Sequence, residues 1–208
     1  MFMKTQAYTP AQASAVANLP LKAVHKLIEG RLVRPIRLRV GRKVQRFLSQ
    51  EQVVYLRLEA EGVRLLPLVT RREVAKAIEK SPKIDVVFLS EGPSLIVQVK
   101  QARQQVAQDL LRLRKAEKMI VSDPEIMRGA PVYRGTRIPV ELVADMLEQG
   151  ATAKEIVAGY PALDRERVEL APLYMQAFPR RGRPALRPWA KQKPLRVSKH
   201  RPAPAEKH

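Results

Sequence analysis

Residues 122–140, SDPEIMRGAPVYRGTRIPV, hold three prolines and two glycines in nineteen positions. That density excludes both a long helix and a continuous inner strand, because proline donates no backbone hydrogen bond and each glycine loosens regular structure. The stretch therefore has to fold as short, sharply turned pieces. Ser122 and Glu125 have capping-box spacing for one helical turn, and Gly129 suits a left-handed stop. Val132, Arg134, Thr136 and Ile138 alternate with Tyr133 and Arg137, which predicts a brief strand over 132–138 with Gly135 as a bulge. Pro139 then suits the first position of a helix. No catalytic template is present in it.

The charge is unevenly distributed along the chain. The chain of 208 residues has a formal charge of +19, which points to a polyanionic partner, with nucleic acid ahead of an anionic membrane or an acidic protein. Lys and Arg outnumber Asp and Glu by 23 to 10 in residues 1–118 and by 10 to 1 in residues 179–208, whereas residues 119–178 hold 6 basic and 9 acidic residues. A slightly acidic module thus lies between two basic ones. With 45% hydrophobic residues the chain can bury real cores, built from aliphatic side chains since only 5% are aromatic. Cysteine is absent, which removes disulfides, thiolate metal sites and a cysteine nucleophile. The first residues lack a signal peptide's apolar core, so a soluble, cytoplasmic and nucleoid-associated protein is the expectation.

Four segments are predicted: 1–62, 63–118, 119–178 and 179–208. In the first, Thr9-Pro10 opens a helix that ends at Asn18-Leu19-Pro20, and Leu21, Val24, Leu27 and Ile28 form the buried stripe of a second helix stopped by Gly30. Residues 31–40 and 44–48 alternate about Gly41-Arg42-Lys43 as a hairpin, with Ile36, Leu38 and Val40 on one side and Arg37 and Arg39 on the other. Ser49 with Gln52 caps a third helix. Helix, turn, helix, hairpin, helix is the order of a winged helix-turn-helix. In 63–118, Thr70 with Glu73 caps a helix to Lys80, a second hairpin turns at Glu91-Gly92-Pro93, and residues 101–118 form a helix; this segment completes the front core or a dimer surface. Beyond the 122–140 stretch, Val140, Val143, Met146 and Leu147 line one helix, Thr152 caps a second and Asp164 a third, in which Pro172 predicts a kink or early end. The segment from 179 is too rich in proline and charge to fold by itself. The fold class is therefore mainly α with short β-hairpins: a winged helix-turn-helix, a trihelical domain and a disordered basic tail.

Asp123 to Val140, DPEIMRGAPVYRGTRIPV, followed by an amphipathic helix, a glycine, a second short helix and Tyr160-Pro161, resembles the domain of unknown function 433 family over about residues 119–178. The Gly-Thr-Arg-Ile-Pro core makes the match specific. Proteins of that family are commonly VapB-type antitoxins encoded beside a PIN-like ribonuclease toxin, and the resemblance implies that role. Tyr8-Thr9 and Arg46-Phe47-Leu48-Ser49, with the layout of the front segment, resemble the amino-terminal domain of MerR-type regulators. The three short helices after residue 139 resemble a homeodomain-like unit.

In a winged helix-turn-helix, Lys22, His25 and Lys26 lie on the helix that enters the major groove, and Arg37, Arg39, Arg42 and Lys43 reach phosphates or the minor groove from the wing. The competing reading is a solvated helix face and a charged edge that deters aggregation. In the tail, Arg181-Gly182-Arg183 with Pro184 resembles the core of AT-hooks, which would enter an A·T minor groove. The same tail could instead fold on the toxin, with Trp189 as an apolar anchor and Arg187, Lys191, Lys193 and Arg196 as counter-charges to a PIN-like acidic groove. The charge balance of residues 119–178 disfavours phosphate contact. It leaves that module to homodimerisation or toxin contact, with Val132, Tyr133, Arg134, Thr136 and Ile138 as the element that pairs across a two-fold. Asp123, Arg134 and Arg137 read as an internal ion-pair and hydrogen-bond scaffold. The three histidines lie on a helix surface and in the tail without ligand spacing or a carboxylate partner, so neither an enzyme nor a cofactor is expected.

The function these features imply is an antitoxin of a type II toxin-antitoxin system, a repressor that binds operator DNA and neutralises a PIN-like ribonuclease by direct binding. The alternative is a free-standing MerR-like transcriptional regulator or an excisionase-like architectural DNA-binding protein.

Overall fold

The computed structural model describes residues 7–89 and 95–179. The protein is mainly α-helical with short antiparallel strand pairs. Helix α1 (Pro10–Ala17) begins at Thr9, whose hydroxyl accepts the Gln12 amide while the Gln12 side chain accepts the Thr9 amide. It stops at Asn18, the left-handed cap, and Pro20 starts α2 (Leu21–Glu29). Val24, Leu27 and Ile28 are the buried stripe of α2.

Gly30 closes α2, but Arg31 takes the left-handed conformation (φ 58°) that glycine normally supplies after a helix. Holding a side-chain-bearing residue there costs on the order of 1 kcal/mol. Arg31→Gly is accordingly expected to raise the unfolding free energy by about 1 kcal/mol, as a higher urea midpoint at constant slope would show.

The hairpin that follows is shorter than residues 31–48. Strand β1 (Ile36–Val40) pairs with β2 (Lys43–Phe47), from Ile36 opposite Phe47 to Val40 opposite Lys43. Arg31 to Pro35 cannot join it, since the left-handed Arg31 turns the chain and Pro35 has no amide to give a ladder. Every residue of β1 is exposed, including Ile36, Leu38 and Val40, so the hairpin projects from the body instead of laying an apolar face on it. Its base is fixed by Leu48, which exchanges both backbone hydrogen bonds with Tyr8 (2.9 and 2.8 Å) and is fully buried.

Ser49 and Gln52 form a reciprocal cap for α3 (Gln50–Glu61). Helix α4 (Leu68–Lys80) starts two residues before Thr70, with Pro67 at its N-cap, so Thr70 lies inside the helix and caps nothing. Strands β3 (Val86–Leu89) and β4 (Leu95–Gln98) pair antiparallel, and α5 (Lys100–Met119) runs twenty residues with Val106, Leu110, Leu113 and Ala116 buried. Val87, Leu89, Val97, Val99, Ala102, Val106, Leu110 and Leu113 share one core with the side chains of α1 to α4. No boundary divides that core at residue 62.

A second core gathers Ile120, Tyr133, Val140, Val143, Ile156, Leu163, Val168 and Ala171. Strand β5 (Ile120–Val121) pairs with β6 (Val132–Tyr133), and α6 (Val140–Glu148), α7 (Ala153–Gly159) and α8 (Arg165–Ala177) follow. Thr152 and Asp164 cap α7 and α8 through the amides of Glu155 and Arg167. Helix α8 runs through Pro172 to Ala177 without an early end. Packing offsets the lost hydrogen bond: Val168 and Ala171 lie in the second core, while Ala177, Leu173 and Phe178 pack on the first. By packing on α1, α5 and α6, α8 ties the two cores together.

Candidate nucleic-acid interface

Lys22 and Lys26 are exposed on α2, one turn apart, and neither has an ion-pair partner among the described residues. His25 lies between them in sequence but not in setting. It is half-buried and lines a groove with Thr9, Pro10, Ala11, Leu21, Ala177, Phe178 and Pro179. Arg181, Gly182, Arg183, Arg187, Trp189, Lys191, Lys193 and Arg196 lie outside the described residues.

On the hairpin, Arg37, Arg39, Arg42 and Lys43 are all exposed. Gly41 (φ 59°) and Arg42 make the tip, and Lys43 already belongs to β2. The register sets Arg37 opposite Arg46. Like charges directly across a ladder repel, so this pair lowers the stability of the free hairpin and is relieved by an anion. Arg46 is a basic residue that sequence reading passed over. Its signal was available in the alternation of β2, which puts it on the face of Arg37 and Arg39.

Several basic side chains elsewhere are ion-paired. Arg57 pairs with Asp109 (2.6 Å), Arg71 with Glu59 (2.8 Å), Arg103 with Asp85 (3.4 Å) and Arg165 with Glu169 (2.6 Å), and Lys115 bonds Glu166. Around α2 and the hairpin, Lys22, Lys26, Arg37, Arg39, Arg42, Lys43 and Arg46 have no ion-pair partner among the described residues.

The 122–140 stretch is an internal scaffold. Asp123 Oδ1, not Ser122, accepts the Glu125 amide (2.9 Å), and the next turn is a 3-10 turn over Met127–Gly129 with left-handed Met127, Arg128 and Gly129. The strand expected over 132–138 ends at Tyr133. Gly135 (φ 79°) reverses the chain, and the Thr136 hydroxyl donates to the Tyr133 carbonyl (2.8 Å) while accepting the Ile138 amide (3.1 Å). One edge of β6 is paired with β5. On the other, the Tyr133 amide donates to Ile138 and the Val140 amide to Pro131. Pairing across a two-fold through this strand has no free edge to use. Val132 and Tyr133 are also buried, leaving only Arg134 exposed and Thr136 and Ile138 half-buried. Arg134 Nε donates to the Lys118 carbonyl (3.1 Å), so of the expected ion-pair and hydrogen-bond scaffold the hydrogen bonds of Asp123 and Arg134 are present, while Asp123, Arg134 and Arg137 form no ion pair among the described residues.

Burial pushes the Tyr133 phenol well above its ordinary pKa, and its hydroxyl donates to the Arg167 carbonyl (3.1 Å). Tyr133→Phe is expected to cost about 1 kcal/mol of stability in urea unfolding, the net worth of one such bond.

Among the described residues there is no group of three or more His, Cys, Asp or Glu that could hold a metal, and no helix is long and apolar enough to cross a membrane.

A mainly helical front unit with a basic helix and hairpin, joined to a small helical module, is the class of protein these features define. Residues 120–175 match the family described as protein of unknown function (DUF433). The chain is 41% identical over 71 residues to an uncharacterized protein, y4eO, of Sinorhizobium fredii (strain NBRC 101917 / NGR234), covering 34% of this chain and 32% of that one. It therefore spans about a third of the length of that curated relative. The X-ray crystal structure of Rv2018 from Mycobacterium tuberculosis is matched at a TM-score of 0.31 and 16% identity, over 79% of this chain and 96% of that one.

Proposed function

We propose that the protein is a DNA-binding antitoxin that represses its own operon and neutralises a PIN-like ribonuclease by direct binding. The observation that carries the DNA-binding half is the set of unpaired cations on α2 and the hairpin, including Arg37 set against Arg46. In this reading α1 and α2 are a helix-turn-helix, α2 enters the major groove with Lys22 and Lys26, and β1–β2 is a wing on the phosphates. His25, half-buried, lines the groove between α2, the start of α1 and the end of α8.

The antitoxin half rests on the family resemblance of residues 119–178. Its acidic balance suits a protein contact, and α6 to α8 are its trihelical unit. A homodimer would form through surfaces other than the occupied strand β6, and the mechanism has no turnover step.

The test is a neighbouring reading frame. If the product of an adjacent small PIN-like gene is toxic when expressed alone, and co-purifies with this protein, the antitoxin reading holds. A harmless neighbour that does not bind would end it and leave a free-standing DNA-binding regulator.

A further inference from the structure

Two clefts open side by side between α2, the hairpin and α4. One, of about 470 Å³, is lined by Glu29, Arg31, Arg34, Arg37 and Arg46 with Ile28, Val33 and Pro35. The other, of about 430 Å³, is lined by Arg31, Arg34, Arg72, Lys76 and Glu79 with Gly30, Leu32 and Ala75. Arg31 and Arg34 line both, so the two clefts adjoin and together form a groove edged by six cations.

None of those six side chains has a hydrogen bond or ion pair among the described residues. The groove's own carboxylates form no ion pair with them: Glu79 accepts from Gln52 Nε2 (3.0 Å), whose amide also donates to the Arg34 carbonyl (2.9 Å). The neighbouring Arg71 is drawn inward to Glu59, whereas Arg72 is left outside in the groove. Arg31 is held in a strained left-handed conformation although glycine would fit the turn, and Arg37 and Arg46 face one another across the ladder. Strain and like-charge repulsion kept at one place signal a binding function for it.

We propose that this groove is a track for a nucleic-acid phosphate backbone, distinct from the Lys22–Lys26 face of α2. The proposal rests on the reading of the front unit as nucleic-acid-binding. Its shape favours a linear polyanion over a small phosphate ligand, because the cations are spread along two adjoining clefts instead of converging in one. Guanidinium forks dominate the set, and these suit phosphate oxygens. The contacts would be to phosphates only, so the track would add affinity and register without base preference.

Binding of the full chain to a fluorescent duplex of random sequence, followed between about 50 and 200 mM salt, tests this. Arg34→Gln with Arg72→Gln should lower the slope of log K against log salt by about two, and Arg31→Gly by about one while making the protein more stable. Loss of affinity in a more stable variant cannot be blamed on misfolding. Unchanged slopes and affinities would overturn the track. So would displacement of the duplex by ATP at equal phosphate concentration, which would make the groove a small-ligand site. Lys22→Ala with Lys26→Ala, measured alongside, separates the two readings. If that pair leaves operator footprinting intact, the α2 reading fails, whatever the groove variants do.

Discussion

Glu59→Ala is expected to destabilise the protein by about 3–5 kcal/mol, the largest effect of any single substitution considered. Glu59 is 2% exposed, and both of its oxygens are taken by Arg71, at 2.9 and 2.8 Å, while the Tyr55 hydroxyl donates to one of them as well. Tyr55 is itself buried. Desolvation and the Glu59 hydrogen bond hold its phenol well above the ordinary range, and Arg71 is raised by its own hydrogen bonds to Glu59. Removing the carboxylate leaves the buried Tyr55 hydroxyl and a largely covered guanidinium without their partner, which costs more than the pair ever contributed. Because the pair joins α3 to α4, its loss would also loosen the wall that carries Arg72 and Lys76. Urea unfolding measures this directly. A loss below about 1 kcal/mol would mean that the site relaxes or hydrates, contrary to the packing described.

Lys22→Ala with Lys26→Ala is expected to weaken operator binding by about a hundredfold, roughly 3 kcal/mol, and to erase the footprint. Both side chains are exposed and unpaired, so the fold should be untouched: the unfolding midpoint should stay within about 0.5 kcal/mol of the parent. Binding of the partner ribonuclease should be retained as well. Loss of both activities together would contradict the division between a basic front unit and an acidic contact module.

Much of the front unit was legible because its helices announce their ends. Thr9 and Ser49 cap the helices expected of them, as Thr152 does in the second module; Ser49 with Gln52 forms the reciprocal cap its spacing predicts, and Gln12 and Glu155 complete the same arrangement at Thr9 and Thr152. Where propensity competed with turn chemistry, reading was less secure. The alternation from Val132 to Ile138 looked like a strand, but Gly135 and the Thr136 hydroxyl fold it into a turn after two residues. Thr70 with Glu73 looked like a cap, yet Pro67 starts that helix earlier. The groove as a whole left no local signal. Arg31, Arg34, Arg37, Arg46, Arg72 and Lys76 come from a loop, a hairpin and a helix up to 45 residues apart, and only Arg37 stands out in the sequence, as part of the wing. Only tertiary packing brings them to one place.

The central claim is that nucleic acid is held by the front unit and not by residues 120–175. Hydrogen exchange of the full chain with and without operator duplex tests it most directly. The account predicts slowed exchange in Leu21–Glu29 and Ile36–Phe47, with no change in α6 to α8. Protection confined to α6, α7 and α8, with Leu21–Glu29 exchanging as in the free protein, would contradict it.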